Sequence, residues 1–496
     1  MLRRLFLPLF FFPLLASAQT PTLIQHVSCP NSGSIGSGNF GSQSTAPTYK
    51  CPLPELTQAN NLLILAFFAD NTGSPTWTVS DDKANTWNQA ASVTDGSGNI
   101  VRIYYAMNVA AGTHMLSVKS SAHTGGFVSV SASEYYNVAT TSALDVSNCN
   151  ATASSTSISA GSMTPTVSGD LLWQWAHAAN AGTVSSFAPG TSPGGTWSLN
   201  GTDLLYGNAV QAGIYTSATA ISPTFTSGTA QAFDSCAVAF KAANAGNPPT
   251  SSFRVVHMLH QAVLATSPQT FPMEFPTSGN LLVASFVAGT NQITSISSTP
   301  TNTWTATSAA AIKTPDVFSQ IYYAANAATS SNMNVTFSRS ATGDGTFVMY
   351  DILGASPSPF DKGIGEIGFQ GSIVSSLTTC SGCITPAGVS NGNELLIGNV
   401  GQAWGTATGI SSPSGGLFDA ATFDGNSVNG PQNVDQNNGW FHLSTTSTSA
   451  QTVTWTYNTD GTNAEGDWAG TIAVFKSANS GTQQPVPPSQ LKAVVN

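Results

Sequence analysis

The chain has 496 residues, too many for one ordinary domain, and only 7% of them are charged, against roughly 25% in average soluble domains. Thirteen basic residues against 23 acidic ones give a net charge of −10, and no Lys/Arg cluster follows Arg3-Arg4. That balance argues against nucleic acid and against anionic membrane surfaces, both of which need clustered cations.

Residues 1–18 read as a secretory signal peptide. Arg3 and Arg4 supply the positive start, Leu5 to Leu15 the apolar run, and Ala16-Ser17-Ala18 a small-residue cleavage site. The run is too short to span a bilayer, and no later stretch is long enough. The mature chain is expected to begin near Gln19, to be secreted or held at the cell surface, and to carry no transmembrane segment.

The rest is organised around a short apolar run that occurs four times, with leading leucines at Leu62, Leu171, Leu281 and Leu395, in steps of 109, 110 and 114 residues. Each run suits a buried strand, and the step suits one β-sandwich. Ser, Thr, Asn and Gly fill the surface role, which favours strands and turns over helices. The expected fold is all-β, four tandem antiparallel β-sandwiches in an A-B-A-B arrangement.

The first unit (19–139) continues through Asn85-Thr86-Trp87, Ile103-Tyr104-Tyr105-Ala106 with Asn108, and an alternating strand ending near Tyr135. The third (252–356) repeats these landmarks as Asn302-Thr303-Trp304, Ile321-Tyr322-Tyr323-Ala324 with Asn326, and Thr346-Phe347-Val348. The second (140–244) and fourth (357–480) match at Leu144-Asp145 with Phe360-Asp361, and at Phe240-Lys241 with Phe475-Lys476. Residues 245–251, with Pro248-Pro249, read as an extended linker. Residues 481–496 form a Pro-rich tail with one stray strand, which either is truncated or docks on an existing sheet.

These landmarks resemble a repeat class of secreted proteins from environmental bacteria. The resemblance covers nearly all of residues 20–480 and implies jelly-roll or immunoglobulin-like sandwiches in surface, adhesin-like or carbohydrate-associated proteins. It brings no catalytic motif. The tail from Pro487 to Val495 is similar to the first strand of a fibronectin type III module.

Six cysteines in an exported chain favour disulfides, with fifteen possible pairings. Cys29 and Cys51 both precede the first Leu-Leu strand, Cys149 and Cys236 bracket the second unit, and Cys380 and Cys383 remain. A redox or zinc role for Cys380-Ser-Gly-Cys383 lacks the required helix or second pair.

The chain carries few residues in a catalytic or metal-binding pattern. Gly190-Thr-Ser192-Pro193-Gly194 fits a nucleophile elbow by spelling, but Pro193 has no N–H for an oxyanion hole. His257 and His260 stand three apart on a strand and so face opposite ways. No cofactor is expected apart from calcium. Its candidate ligands are Asp460, Asn463, Glu465 and Asp467, oxygen donors on a loop; the plainer reading is a solvated hairpin turn. Asp81-Asp82 with Asn85 is a weaker candidate. Glu465 and Asp467 also form a conceivable glycosidase pair, without an implied cleft. Trp87 and Trp304 recur at one landmark and read as core or turn anchors. Trp173, Trp175, Trp404 and Trp440 do not recur and are the ligand-binding candidates, as stacking platforms for a sugar.

No catalytic residue is assigned. The leading expectation is an exported noncatalytic protein acting in cell-surface adhesion, binding or spacing, its partner a glycan or a cell-surface protein. The alternatives are a carbohydrate-binding protein of polysaccharide degradation and a glycoside hydrolase or lyase with an unrecognised site.

Overall fold

The structure, a computed structural model, describes residues 19–29 and 48–478 apart from short internal stretches, among them 191–194, 380–392, 404–406 and 460–466. The described residues form strands and connections, with no helix among them.

The first unit contributes β1 (Thr22–Cys29), β2 (Thr48–Pro52), β3 (Leu62–Ala69), β4 (Trp77–Asp81), β5 (Asn88–Thr94), β6 (Ile100–Ala106), β7 (Met115–Ser120) and β8 (Val128–Tyr136). The second contributes β9 (Leu144–Ser159), β10 (Leu171–Ala178), β11 (Phe187–Ala188), β12 (Gly195–Asp203), β13 (Asn208–Tyr215) and β14 (Thr224–Phe240). The third contributes β15 (Arg254–Val263), β16 (Gln269–Met273), β17 (Leu281–Ala288), β18 (Ile293–Thr299), β19 (Thr305–Lys313), β20 (Val317–Ala324), β21 (Met333–Arg339) and β22 (Gly345–Leu353). The fourth contributes β23 (Ala355–Phe369), β24 (Ser376–Thr379), β25 (Glu394–Ala403), β26 (Ala407–Ser411), β27 (Leu417–Phe423), β28 (Gln436–Thr445), β29 (Trp455–Thr459) and β30 (Asp467–Ser477).

The repeated landmarks are turn chemistry. Asp81 accepts bonds from the Asn85 N–H and, at 2.7 Å, from the Trp87 indole N–H. In the third unit Ser298 Oγ does the same for Asn302 and Trp304. Asn85 and Asn302 then each accept a backbone N–H, from Ala110 and Ala328. Asn108 and Asn326 sit at φ 57° and 50°, a left-handed conformation that Asn tolerates better than most residues. Trp87 and Trp304 are thus turn anchors, and the oxygens of Asp81 hold their own turn.

Strand pairing does not stop at the unit boundary. One ten-stranded sheet runs β19-β20-β17-β22-β15-β1-β8-β3-β6-β5. Its two halves come from the third and first units in mirrored order, and they meet where β1 pairs with β15 in parallel, with His26 opposite His257, Val27 opposite Met258 and Ser28 opposite Leu259. Two copies of one strand, side by side and running the same way, are related by a rotation about the strand direction. That rotation turns the sheet over, so each half presents equivalent residues to opposite sides.

The cores show this inversion. Leu63, Leu65 and Phe67 of β3 pack beneath the three-stranded sheet β2-β7-β4, while Leu62, Ile64 and Ala66 meet Trp173 and Trp175 of the second unit. In β17, Leu282, Ala284 and Phe286 lie under β16-β21-β18, and Leu281, Val283 and Val287 meet Leu395, Ile397 and Trp440 of the fourth unit. The sheet β11-β14-β10-β13-β12, with β9 on β14, therefore covers one face, and β23-β30-β25-β28-β27 covers the other, farther along. A single core cluster runs from Cys51 and Trp77 of the first unit to Ile397 and Trp440 of the fourth. The expected row of four separately closed sandwiches is replaced by units that share a sheet and a core. The physical reason is that β3 and β17, the middle strands of the two five-stranded halves, are apolar and buried on both faces, so a single small sheet cannot bury them.

Two disulfides form, Cys29–Cys51 and Cys149–Cys236. The first ties the ten-stranded sheet to β2; the second joins directly opposed residues of β9 and β14. Disulfides of this kind are consistent with an extracellular protein. Cys380 and Cys383 lie outside the described residues. No helix among the described residues is long and apolar enough to cross a membrane.

The linker is also tied down. Asn137 N–H donates to Ala245 O, Asn247 N–H donates to Asn61 Oδ1 at 2.7 Å, and Asn247 Nδ2 donates to Ala59 O at 2.7 Å. The chain is thereby delivered to the start of β15 beside β1. Hydrogen bonds to Asn137, Asn61 and Ala59 fix where the linker lies.

Candidate functional site: a buried polar seam between the halves

Charged side chains are scarce, so their convergence is informative. On β27, Phe418 opposes Phe441 and Ala420 opposes Trp440, leaving Asp419 as an extra residue in a β-bulge. A bulge re-aims the side chain it carries. Asp419 is turned inward, where its Oδ2 accepts the Tyr350 hydroxyl at 2.7 Å and its Oδ1 lies 2.6 Å from His442 Nδ1. The far nitrogen of His442, Nε2, is 3.8 Å from Glu55 Oε1. His442 and Asp419 are fully enclosed, and the Glu55 side chain is 20% exposed.

Glu55 carries the network into the first and third units. Its Oε1 accepts the Val255 N–H at 2.9 Å, and its own N–H donates to Gln25 Oε1 at 2.6 Å. Gln25 Nε2 donates to Glu134 Oε2 at 2.6 Å, and Glu134 Oε1 accepts from Asn61 Nδ2 at 2.7 Å. Asn61 then holds the linker. In the third unit Asn280 donates to Asp351 at 2.7 Å, and His257 lies 3.0 Å from the same carboxylate. His257–Asp351–Asn280 is the counterpart of Gln25–Glu134–Asn61.

Burial and charge set the protonation states. Burial alone would depress the His442 imidazole, but the Asp419 carboxylate and then Glu55 outweigh it and hold His442 up at about 9. Burial pushes Glu55 and Glu134 up, against hydrogen bonds and cations that pull them down. Burial and then the neighbouring Asp419 push the Tyr350 hydroxyl far above the usual phenol range. Burial presses His114, beside this group, down to about 4. Near neutrality the centre is an imidazolium between two acids, with a neutral tyrosine behind.

Chemically this arrangement binds units together. A glycosidase needs its two carboxylates separated by space for sugar and water; here an imidazole ring occupies that space. The second unit shows what the chain does without the charge. Its equivalent bulge on β12 carries Asn200, which donates to the Tyr135 hydroxyl at 2.6 Å, and Ala212 stands where the fourth unit has His442.

The tryptophan candidates lie elsewhere. Trp173 and Trp175 share one face of β10, as alternation predicts, with Leu172 on the other, and both faces are buried. Their indole N–H groups donate to Ser133 and Ser131 of β8, each at 3.2 Å. Trp440 is equally buried and donates to Ser285 O at 3.0 Å. These three rings fill joints between sheets and leave no face for a sugar. Trp404, Asp460, Asn463 and Glu465 lie outside the described residues; Asp467 begins β30. The strands on either side enter different sheets: β29 pairs with β24 and β26, and β30 with β23 and β25. Among the described residues no group of His, Cys, Asp or Glu is arranged to hold a metal ion. Ser192 and Pro193 of the elbow-like stretch are outside them too.

Glu55, His114, Tyr350, Asp419 and His442 escape a reading by motif because they come from five separate segments. The available signal was weak: Asp419 and Glu55 are two of six acidic residues, among 23, with apolar neighbours on both sides. No protein family, curated protein or solved structure matches the chain.

Proposed function

We propose that the chain is exported through a cleavable signal peptide and acts without catalysis at the cell surface, in adhesion, binding or spacing. The chain comprises duplicated A-B pairs of jelly-roll or immunoglobulin-like sheets, in units 19–139, 140–244, 252–356 and 357–480. The observation that carries it is the sharing of one sheet and one core cluster by both halves, which favours a stiff body over hinged modules. The disulfides and the sparse charge support an extracellular setting. The polar seam supports a holding role, since its acids are occupied by neighbours.

The experiment has two arms. The exported protein is recovered and its N-terminus sequenced; Gln19 is expected. The purified full chain is then presented to a glycan array, to intact cells and to a panel of chromogenic glycosides. Saturable binding to cells or glycans without turnover supports the proposal. Hydrolysis abolished by Asp419→Asn would replace it with the hydrolase reading.

A further inference from the structure

The two halves of the ten-stranded sheet meet over three registered pairs, and histidines stand on both sides of that meeting. The His26 and His257 rings lie 6.3 Å apart across it. His26 is fully buried, with Nδ1 2.8 Å from Ser133 Oγ and Nε2 3.3 Å from Ser28 Oγ. From the second unit it is approached by Trp173, through Ser133. The titratable groups it faces are His257 and, behind that, Asp351. A few residues away, His442 of the fourth unit reaches Glu55 of the first, and Glu55 holds the β15 backbone. His442 also faces Asp419 and Tyr350, with His114 and Arg254 close to the same acids.

We propose that this seam is a proton-operated joint: protonation of His26 beside His257 loosens the β1–β15 pairing, and the charged His442 between Asp419 and Glu55 clamps it. The signs are opposite. Burial and then His257 hold His26 well below its ordinary value, so its contribution is present above about 6.5, the unfolded value, and is lost as pH falls. His442 is held up at about 9, so its contribution is complete below about 6.5 and is lost as pH rises through 9. The joint is therefore tightest near about 6.5 and loosens progressively towards acid and towards alkali.

The test is amide exchange of the full chain at acid, neutral and alkaline pH, corrected for intrinsic rates. In acid, β1 and β15 should exchange about tenfold faster than at neutrality while β18 and β21, which carry no Asp, Glu, His or Tyr, stay constant, as a local opening requires. His26→Asn should remove the acid acceleration alone, and His442→Gln the alkaline one alone. Uniform exchange across all sheets, or variants that leave both accelerations intact, would overturn the joint. Should His26→Asn fail to fold, NMR titration of the wild-type ring decides instead: a midpoint near the free imidazole value sinks the proposal.

Discussion

Trp440 and Trp175 fill equivalent slots from neighbouring strands. In the second unit Trp175 on β10 lies opposite Val210 on β13; in the fourth, Asn399 on β25 holds the Trp175 position and lies opposite Trp440 on β28. The large ring has changed strand while the cross-strand pair has kept one indole. Each indole N–H reaches the ten-stranded sheet, at Ser131 or at Ser285. Asn399, freed of bulk, hydrogen-bonds Ser285 at 2.8 Å and also pairs with Ser319. Trp440→Ala should therefore cost about 3–5 kcal/mol, as for other buried aromatics. The pair Asn399→Trp with Trp440→Val should cost less than the sum of its single changes, by about 0.5–3 kcal/mol of coupling. Urea denaturation of the four proteins measures it; strict additivity would refute the shared slot.

Asp419 and His442 allow a second prediction. Removing one partner of a buried ion pair strands the other, typically at about 3–5 kcal/mol. Asp419→Asn should fall in that range alone. Combined with His442→Ala it restores the Asn and Ala found at the second unit's bulge, and the double variant should recover part of the loss. Thermal or urea denaturation of the single and double variants is the check, and a double variant worse than the sum would contradict the equivalence of the two bulges.

Much of this fold was legible in the sequence, for a definite reason. Leu62, Leu281 and their counterparts sit in strands buried on both faces, so their apolar runs are continuous and easily recognised. Asn85-Thr86-Trp87 recurs because a turn needs an acceptor and an anchored indole. The parallel pairing of β1 with β15 was not legible, since every strand edge offers the same N–H and C=O groups. Nor was the orientation of Trp173 and Trp175: alternation says which residues share a face but not what covers it. Asp419 was hidden because its inward turn depends on a bulge that the strand pattern does not encode. Expecting a hairpin between Trp455 and Trp468 failed because residues adjacent in sequence here enter different sheets.

The cross-strand pair His177 and Asp234 predicts a pH dependence. Burial lowers His177 to about 4, and burial raises Asp234 to about 7, so both are neutral between those values. Folding excludes the charged imidazole, so the His177 contribution is complete above about 6.5 and is lost as pH falls towards 4. Asp234 has the opposite sign: its contribution is complete below about 3.9 and is lost as pH rises through 7. The two slopes oppose each other in the wild type. His177→Asn should leave a stability that declines steadily from acid to neutral pH, and Asp234→Asn one that rises. Urea midpoints at intervals of pH would show it; parallel profiles for all three proteins would refute it.

The Cys149–Cys236 bridge spans 87 residues. Closing a loop of that length removes entropy from the unfolded chain worth about 4.6 kcal/mol in the loop-closure account. Cys149→Ser with Cys236→Ser should lower stability by about 2–5 kcal/mol. Comparison of denaturation midpoints, with the Cys29–Cys51 bridge intact in both proteins, measures the effect, and an unchanged midpoint would show that the β9–β14 pairing alone restrains the unit.

Gly246 offers the sharpest test of the docked linker. Its φ is +80°, and a Cβ there would lie 2.4 Å from Asn61 Oδ1 and 3.1 Å from Asn60 O. Asn61 cannot yield easily, because it bonds Glu134 and the Asn247 backbone at once. Gly246→Ala should therefore cost about 1–3 kcal/mol through backbone strain and should also disturb the Asn61–Glu134 contact. The extended linker read from Pro248-Pro249 alone would accept the same change at no cost. Accelerated proteolysis within 245–251 together with a lowered urea midpoint would bear out the docked form. A variant indistinguishable from wild type would return the segment to a spacer and leave β15 to find β1 unaided.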